Sequence, residues 1–268
     1  MSDVEVTNEA AVRWIVLNRP ESKNGLTDAV NQALIDALDG AAADKSIRCV
    51  VVTGKGGNFC SGLDLKAVTA GGMGAMDNVE EHMRKYFHGL IRAVRRVEKP
   101  VVALVDGAAV GYGADLAFAC DLRIGTERTR FGEVFVKRGL MPDGGGTWTL
   151  PRLVGMGKAL ELMFTGDMID TDTAQAIGLL NRVVASAEAE QQTWEFAKRL
   201  AAGPPMVHAW IKRAVYAAQS TDLDAALENE VRGQMQLLRS KDFFEGIAAL
   251  FQKRDPKFTG EQRSQRSG

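Results

Sequence analysis

Apolar positions along this chain fall into short continuous runs and helical stripes with glycine or proline at the joints; after about residue 190 helical stripes dominate. Val12-Arg13-Trp14-Ile15-Val16-Leu17 is rich in β-branched residues and stops at Asn18-Arg19-Pro20, which predicts a strand. Ala29, Val30, Ala33, Leu34, Ala37 and Leu38 recur at helical spacing behind Thr27, a side chain suited to cap the first turn. The run 47–53 predicts a buried strand ending at Gly54. Residues 66–79 contain Gly71, Gly72 and Gly74 with little periodicity, and a mobile loop is expected there. A second helical stripe, Tyr86, Phe87, Leu90, Ile91, Val94 and Val97, is closed by Lys99-Pro100, because proline lacks the N–H that a helix needs. The run 101–105 predicts another buried strand, followed by a helix over 113–120. Leu122-Arg123-Ile124 and Arg130-Phe131 read as short strands, and Met141-Pro142-Asp143-Gly144-Gly145-Gly146 as a break before 147–150. Beyond 190 the stripes predict helices over 194–201, 206–218, 223–238 and 243–251, with the polar stretch 253–268 expected to fray. This order predicts an α/β core over 1–190 and a helical region over 191–268.

Two of the joints carry chemistry. Phe59-Cys60-Ser61-Gly62-Leu63-Asp64-Leu65 follows the first buried strand, and Asp106-Gly107-Ala108-Ala109-Val110-Gly111-Tyr112-Gly113-Ala114-Asp115-Leu116 follows the second. A strand, a glycine turn and a helix start leave main-chain N–H groups unpaired at the positive end of a helix dipole. Two such turns aimed at one point make an oxyanion hole, which holds a carbonyl oxygen that turns negative during reaction.

Composition narrows the partners. Basic and acidic residues nearly cancel, 33 against 34, so nothing recommends nucleic acid or an anionic membrane. The amino terminus lacks a basic region followed by an apolar run, and no stretch of about twenty apolar residues exists, so a cytoplasmic protein is expected. Cys49, Cys60 and Cys120 sit in or beside apolar segments and are expected to pack as small hydrophobes. A dinucleotide fingerprint begins at Gly111-Tyr112-Gly113 but fails at Leu116, and Thr53-Gly54-Lys55-Gly56-Gly57 lacks the closing residues of a P-loop. Ser61 has Phe59 where a nucleophile elbow needs glycine. His82, His88 and His208 have no ligand-like spacing, so no metal is expected. Hydride transfer, ATP hydrolysis and serine hydrolysis are therefore disfavoured.

The two turns and their surroundings resemble the crotonase superfamily, also called enoyl-CoA hydratase/isomerase, over nearly the whole chain. The resemblance rests on Asn18-Arg19-Pro20 with Asn24-Gly25-Leu26, on the 59–65 turn, and on the block from Lys99-Pro100 through Gly107, Gly111, Gly113 and Cys120-Asp121. Leu140-Met141-Pro142 with Gly145-Gly146-Thr147, then Phe243-Phe244-Glu245-Gly246 and Lys253-Arg254, complete it. The resemblance implies an α/β spiral of ββα units with a carboxyl-terminal helical region that builds trimers, often paired into hexamers. It implies an acyl-CoA substrate and a stabilised thioester enolate, with coenzyme A present only as part of the substrate. By position the oxyanion donors are the N–H groups of Leu63 and Tyr112. CoA contacts are implied at Lys23, Leu26, the Ser61 carbonyl, Gly62, Asp64, Leu65 and Gly111, with Lys253 of the same or a neighbouring subunit facing the CoA phosphate. The 68–79 loop would close the acyl pocket.

The chain departs from the hydratase pattern where the chemistry is decided. Of the two glutamates in that pattern, the first position here is Asp115 and the second is Phe135, which cannot move a proton. Glu133 is close in sequence but two residues early. Asp143, in Met141-Pro142-Asp143-Gly144, resembles instead the acid/base of isomerases in the family, and most closely the phenylacetyl-CoA-pathway type. One carboxylate suffices to shift a double bond, so an enoyl-CoA isomerase using Asp143 is the leading expectation. Asp115 can be a helix-dipole partner or a second acid/base. The alternatives are a hydratase using Asp115 with Asp143 or Glu133, a nucleophilic Asp143 of the aryl-CoA dehalogenase type with His88 as the activating base, and a CoA-binding protein without turnover.

Overall fold

A computed structural model describes residues 2–64 and 79–263 of the chain. Leu65 and residues 66–78, which include nearly all of the expected pocket-closing loop, lie outside the described residues, as do 264–268. In chain order the strands are β1 (Val4–Glu9), β2 (Val12–Leu17), β3 (Cys49–Gly54), β4 (Asn58–Cys60), β5 (Val101–Val105), β6 (Ala108–Val110), β7 (Leu122–Thr126), β8 (Arg130–Gly132), β9 (Met168–Asp170) and β10 (Arg182–Val184). The helices are α1 (Asp28–Ala43), α2 (Val79–His82), α3 (His88–Arg96), α4 (Tyr112–Ala119), α5 (Gly146–Val154), α6 (Met156–Thr165), α7 (Thr171–Ala176), α8 (Ala189–Ala202), α9 (Pro205–Ala218), α10 (Leu223–Leu237) and α11 (Lys241–Gln252).

The expected α/β spiral is present, and its logic lies in how each pair of strands is divided. One sheet runs β1-β2-β3-β5-β7-β10 and a second runs β4-β6-β8-β9. Thus β3, β5 and β7 are parallel neighbours in the first sheet, while the strands that follow each of them, β4, β6 and β8, are parallel neighbours in the second. Each ββα unit steps from one sheet to the other and returns through a helix. The junctions of strand and helix are thereby stacked on one another, and both glycine turns belong to that stack.

The apolar runs form strands because both faces of the first sheet are covered, as a continuous Val-rich run requires. Side chains alternate along β3 and β5. Val50, Val52, Val101, Ala103 and Val105 face a core shared with α1, α3 and α4, whereas Cys49, Val51, Val102 and Leu104 face Ala189, Ala197 and Ala201 of α8. The first helix of the 191–268 region therefore packs on the outer face of the core sheet. Thr27 caps α1, its hydroxyl accepting from Val30 N at 3.3 Å. The three cysteines are free and buried, as their apolar settings suggest.

Helix α9 is fastened to the core through Asp121. Its carboxylate accepts from Val101 N at 2.8 Å, from Lys212 Nζ at 2.8 Å and from Tyr216 Oη–H. The Arg95 guanidinium lies over the Tyr216 ring at 3.6 Å and the Trp148 ring at 4.7 Å, joining α3, α5 and α9.

The 147–150 segment, to which periodicity assigns no element, is part of helix α5, which starts from Gly146. One expectation needs revision. The 253–263 part of the polar tail is not frayed: Asp242 accepts from Thr259 N and Gly260 N at 2.7 and 2.9 Å, and Arg48 donates to Phe258 O at 2.8 Å. Strand β1 and the elements β9, α6, α7 and β10 were not legible from periodicity. The strands and α7 are 3–6 residues long, too short to display a period. Among the described residues, no helix is long and apolar enough to cross a membrane.

Candidate active site

The two glycine turns meet. Gly62 has φ +87°, and a Cβ built on it would lie 2.8 Å from Val110 O and 3.4 Å from Tyr112 N. On the opposing turn, a Cβ on Gly113 would lie 2.3 Å from Cys60 O. Only glycine lets the main chains approach this closely.

The chain directions at the contact expose the N–H groups named by the sequence. Leu26 N donates to Gly62 O at 2.8 Å and Asp64 N donates to Leu26 O at 2.9 Å, the two bonds of an isolated parallel bridge between Leu26 and Leu63. In such a bridge the N–H of the residue between the bonded groups, here Leu63, points away from the partner strand. Tyr112 is the first residue of α4, so its N–H has no intrahelical acceptor. Gly111 precedes it with φ +55°, and its own N–H donates to Gly132 O at 2.8 Å, which pins the turn. The Tyr112 side chain does not enter this array: it is buried, its hydroxyl donates to Phe87 O at 2.8 Å, and its ring stacks obliquely on Phe87 at 5.2 Å. Tyr112 therefore offers only its main-chain donor at this point.

The first turn is held by an apparatus of its own. Asn24 is fully buried and bonded throughout: Nδ2 donates to Lys55 O and Asn58 O at 2.9 and 2.7 Å, and Oδ1 accepts from Arg19 N at 2.9 Å. Asp64 pairs with Arg19 at 3.0 Å, and Ser61 Oγ donates to Ser22 O at 3.0 Å. Lys23 is exposed in a left-handed conformation, φ +53°, with its carbonyl accepting from Ser61 N at 3.0 Å. Among the described residues no donor reaches the Ser61 carbonyl. Leu26 is buried in the core with both main-chain groups paired, so it braces the turn and offers no free surface. Lys253 caps α11 from an exposed position, and no contact links it to the Lys23 turn among the described residues.

Three carboxyl groups gather beside α4, and their settings differ. Asp115 is completely buried. Its Oδ2 accepts from Gly144 N at 2.9 Å, while its Oδ1 is buried with no amide bonded to it among the described residues and lies beside the Gly146 main chain and the Glu133 carboxyl. Burial pushes the Asp115 carboxyl up from the ordinary range, opposed by the neighbouring Glu133 carboxyl and the Gly144 amide. Glu133 is 2% exposed, and burial, then the neighbouring Asp115 charge, raises it further. Asp143 is only partly buried, one of its oxygens being covered without a hydrogen-bond partner. Desolvation raises its carboxyl, while His88, close enough to act by charge, pulls it back. The sequence singled out Asp115 and Asp143 but left the role of Glu133 open; contact between Glu133 and Asp115 could not be read from their spacing.

Phe135, not Glu133, stands against the oxyanion turn. A Cβ on Gly111 would lie 3.8 Å from the Phe135 ring. Glu133 instead borders a void of about 10 Å³ together with Phe118, Phe131, Leu150 and Leu162.

The family model described as enoyl-CoA hydratase/isomerase matches residues 7–262. A "Probable enoyl-CoA hydratase" of Rhodobacter capsulatus is 40% identical, covering 96% of this chain and 96% of its own. A 1,2-epoxyphenylacetyl-CoA isomerase of Escherichia coli is 34% identical, covering 94% and 97%. The crystal structure of an enoyl-CoA hydratase from Bacillus anthracis superposes with a TM-score of 0.92 at 32% identity, covering 97% of this chain and all of the other.

Proposed function

This chain belongs to the enoyl-CoA hydratase/isomerase family of acyl-CoA-processing enzymes, and within that family we propose that it is an enoyl-CoA double-bond isomerase with Asp143 as its acid and base. The observation that carries the reading is the difference in access among three carboxyls. Asp115 and Glu133 are buried side by side, whereas Asp143 is partly open and stands on the turn whose next residue packs against Tyr112.

The mechanism follows from that arrangement. The thioester carbonyl accepts hydrogen bonds from the N–H groups of Leu63 and Tyr112, which acidifies the adjacent carbon. The Asp143 carboxylate removes a proton from C2 of a 3-enoyl thioester. Negative charge passes to the thioester oxygen, forming a dienolate that the two N–H groups stabilise more strongly than the neutral ketone-like ground state. Asp143, now protonated, returns the proton at C4, and the double bond rests between C2 and C3. Partial desolvation raises the Asp143 carboxyl, making it a stronger base than a solvated aspartate. Hydration requires a held water and proton delivery to carbon, commonly shared by two carboxylates; here Phe135 occupies one of those positions and Asp115 is committed to the Gly144 amide. Coenzyme A enters as part of the substrate, with Lys23, Ser61 and Lys253 as its contacts. The exposed apolar residues Leu227, Val231 and Met235 on α10, with Phe244 and Leu250 on α11, support a homotrimer or hexamer.

The test is a parallel spectroscopic and mass assay with 3-enoyl-CoA and 2-enoyl-CoA, for the native chain and Asp143→Asn. Conversion of the 3-enoyl to the 2-enoyl thioester with no gain of water, abolished in the variant, is the expected result. Rapid water addition that survives in Asp143→Asn would sink the reading.

A second reading is favoured by the nearness of His88 to Asp143. In it the Asp143 carboxylate attacks a halogenated aryl-CoA ring carbon, expels halide, and His88 activates the water that cleaves the resulting ester. Halide release from 4-halobenzoyl-CoA, with one solvent oxygen entering Asp143 in a single turnover, distinguishes it from isomerisation.

A further inference from the structure

Glu133 is an acid that the proposed reaction does not use, although it is placed too carefully to be a stray polar group. It is 2% exposed, and neither Asp143 nor Tyr112 is among the walls of the small void it borders. A carboxyl so deeply buried needs a partner. Among the described residues neither Glu133 oxygen accepts from any donor, and the same holds for Asp115 Oδ1. The two acids lie side by side: an atom added at Gly146 would approach both, 2.1 Å from Asp115 Oδ1 and 3.1 Å from Glu133 Oε1. Two adjoining buried carboxyls are most stable with one proton between them, because a second negative charge would be both desolvated and repelled. Glu133, which has no amide to accept from, is the holder of that proton, whereas Asp115 accepts from Gly144 and keeps the charge.

The far side of Asp115 explains the arrangement. Its Oδ2 receives the main-chain N–H of Gly144 at 2.9 Å. Gly144 follows Asp143 and leads into α5. Glu133, Asp115 and the turn that presents Asp143 are thus placed one behind the other. The other charged or titratable groups facing this row are Asp143 itself, His88 beside it, and the buried Tyr112 hydroxyl. Asp167, at the rim of the void, pairs outward with Lys137 at 3.6 Å.

We propose that Glu133 is a positioning residue: by donating its proton to Asp115 Oδ1 it fixes the carboxylate that grips the amide of Gly144, and so sets where Asp143 stands for proton transfer. The catalytic half of this statement rests on the isomerase reading; the positioning half does not.

The experiment compares Glu133→Met, which keeps the volume and removes the donor, with Glu133→Gln, which keeps a donor. Two quantities are measured on the full chain: kcat and KM for a 3-enoyl-CoA, and amide hydrogen exchange of peptides spanning 140–150. In Glu133→Met, kcat is expected to fall at least about tenfold with KM changed less than about twofold, and exchange at Gly144 to accelerate at least about tenfold. Glu133→Gln is expected to restore both to within about threefold of the native protein. Native kcat and native protection in Glu133→Met would overturn the proposal. So would a Glu133→Gln variant that keeps protection but loses kcat, since Glu133 would then be moving a proton itself. Should Glu133→Met not fold, Glu133→Gln still decides: native values in both readouts support the proposal, and loss of either one overturns it. If the native enzyme isomerises nothing, the functional reading fails while the exchange data still test the hydrogen bonds.

Discussion

Gly144 donates its main-chain N–H to Asp115 Oδ2 across 2.9 Å. The bond joins the turn that carries Asp143 to the helix that begins with Tyr112, and so links the proposed base to one of the two proposed oxyanion donors. Asp115 sits one turn into α4 and beside the amino-terminal end of α5, where a carboxylate is favoured by unpaired amides and by both helix dipoles. In the folded chain Asp115 braces the turn that leads into α5.

Replacing Asp115 with alanine leaves the Gly144 amide buried without its acceptor and Glu133 without its neighbouring acid. The variant is expected to lose about 2–4 kcal/mol of stability, read as a lower midpoint in urea unfolding, together with most of its turnover. A variant with native stability would show that water or a neighbouring group takes over that role.

Asp143→Asn removes the proton acceptor and keeps the shape of the turn. Its kcat is expected to drop by about 10²–10⁴, while affinity for a saturated acyl-CoA, followed by calorimetry, stays within about twofold. Equal losses in binding and turnover would assign Asp143 to substrate binding.

Gly62→Ala sets a methyl 2.8 Å from Val110 O at φ +87°. The strain is expected to cost about 1–3 kcal/mol and, by moving the Leu63 N–H, to lower kcat by about 10²-fold. Thermal unfolding and steady-state rates on the same preparation check both parts, and an undisturbed kcat would remove Leu63 from the oxyanion array.

The Asp115–Glu133 pair links stability to pH. Both folded carboxyls are raised above their unfolded values of 3.8 and 4.5, so the folded state binds more protons than the unfolded chain at neutral pH. Their contribution is complete below pH 3.8 and is lost as pH rises from the unfolded values through the raised folded ones. Unfolding free energy measured from pH 6 to 9 is therefore expected to decline with pH, and less steeply in Glu133→Gln, which has one titrating carboxyl fewer. Parallel curves for the two proteins would contradict the shared proton.

Leu227 is 48% exposed on α10 within an apolar stripe. Leu227→Asp is expected to give a monomer by sedimentation equilibrium, and weaker acyl-CoA binding if a neighbouring subunit supplies Lys253. A monomer with unchanged affinity would confine the binding site to one chain.

The sequence by itself determined the strands β3 and β5, since runs as apolar as 49–53 and 101–105 are stable only between two covered faces. It also determined the two turns, because Gly62 and Gly111 require main-chain conformations that other residues resist. Family likeness then pointed to Leu63, Tyr112 and Asp143. What only the tertiary structure decided was which carboxyls meet. Asp115, Glu133 and Asp143 lie on a helix, on the approach to a helical turn and in a glycine break, and no spacing rule predicts that the first two are buried side by side while the third stays partly open. Likewise the polar tail, unremarkable in composition, is strapped to Asp242 and Arg48, residues 17 and 210 positions away from the groups they hold. Local pattern is read from neighbours along the chain, whereas burial, and with it the protonation of an acid, is set by residues that only folding brings together.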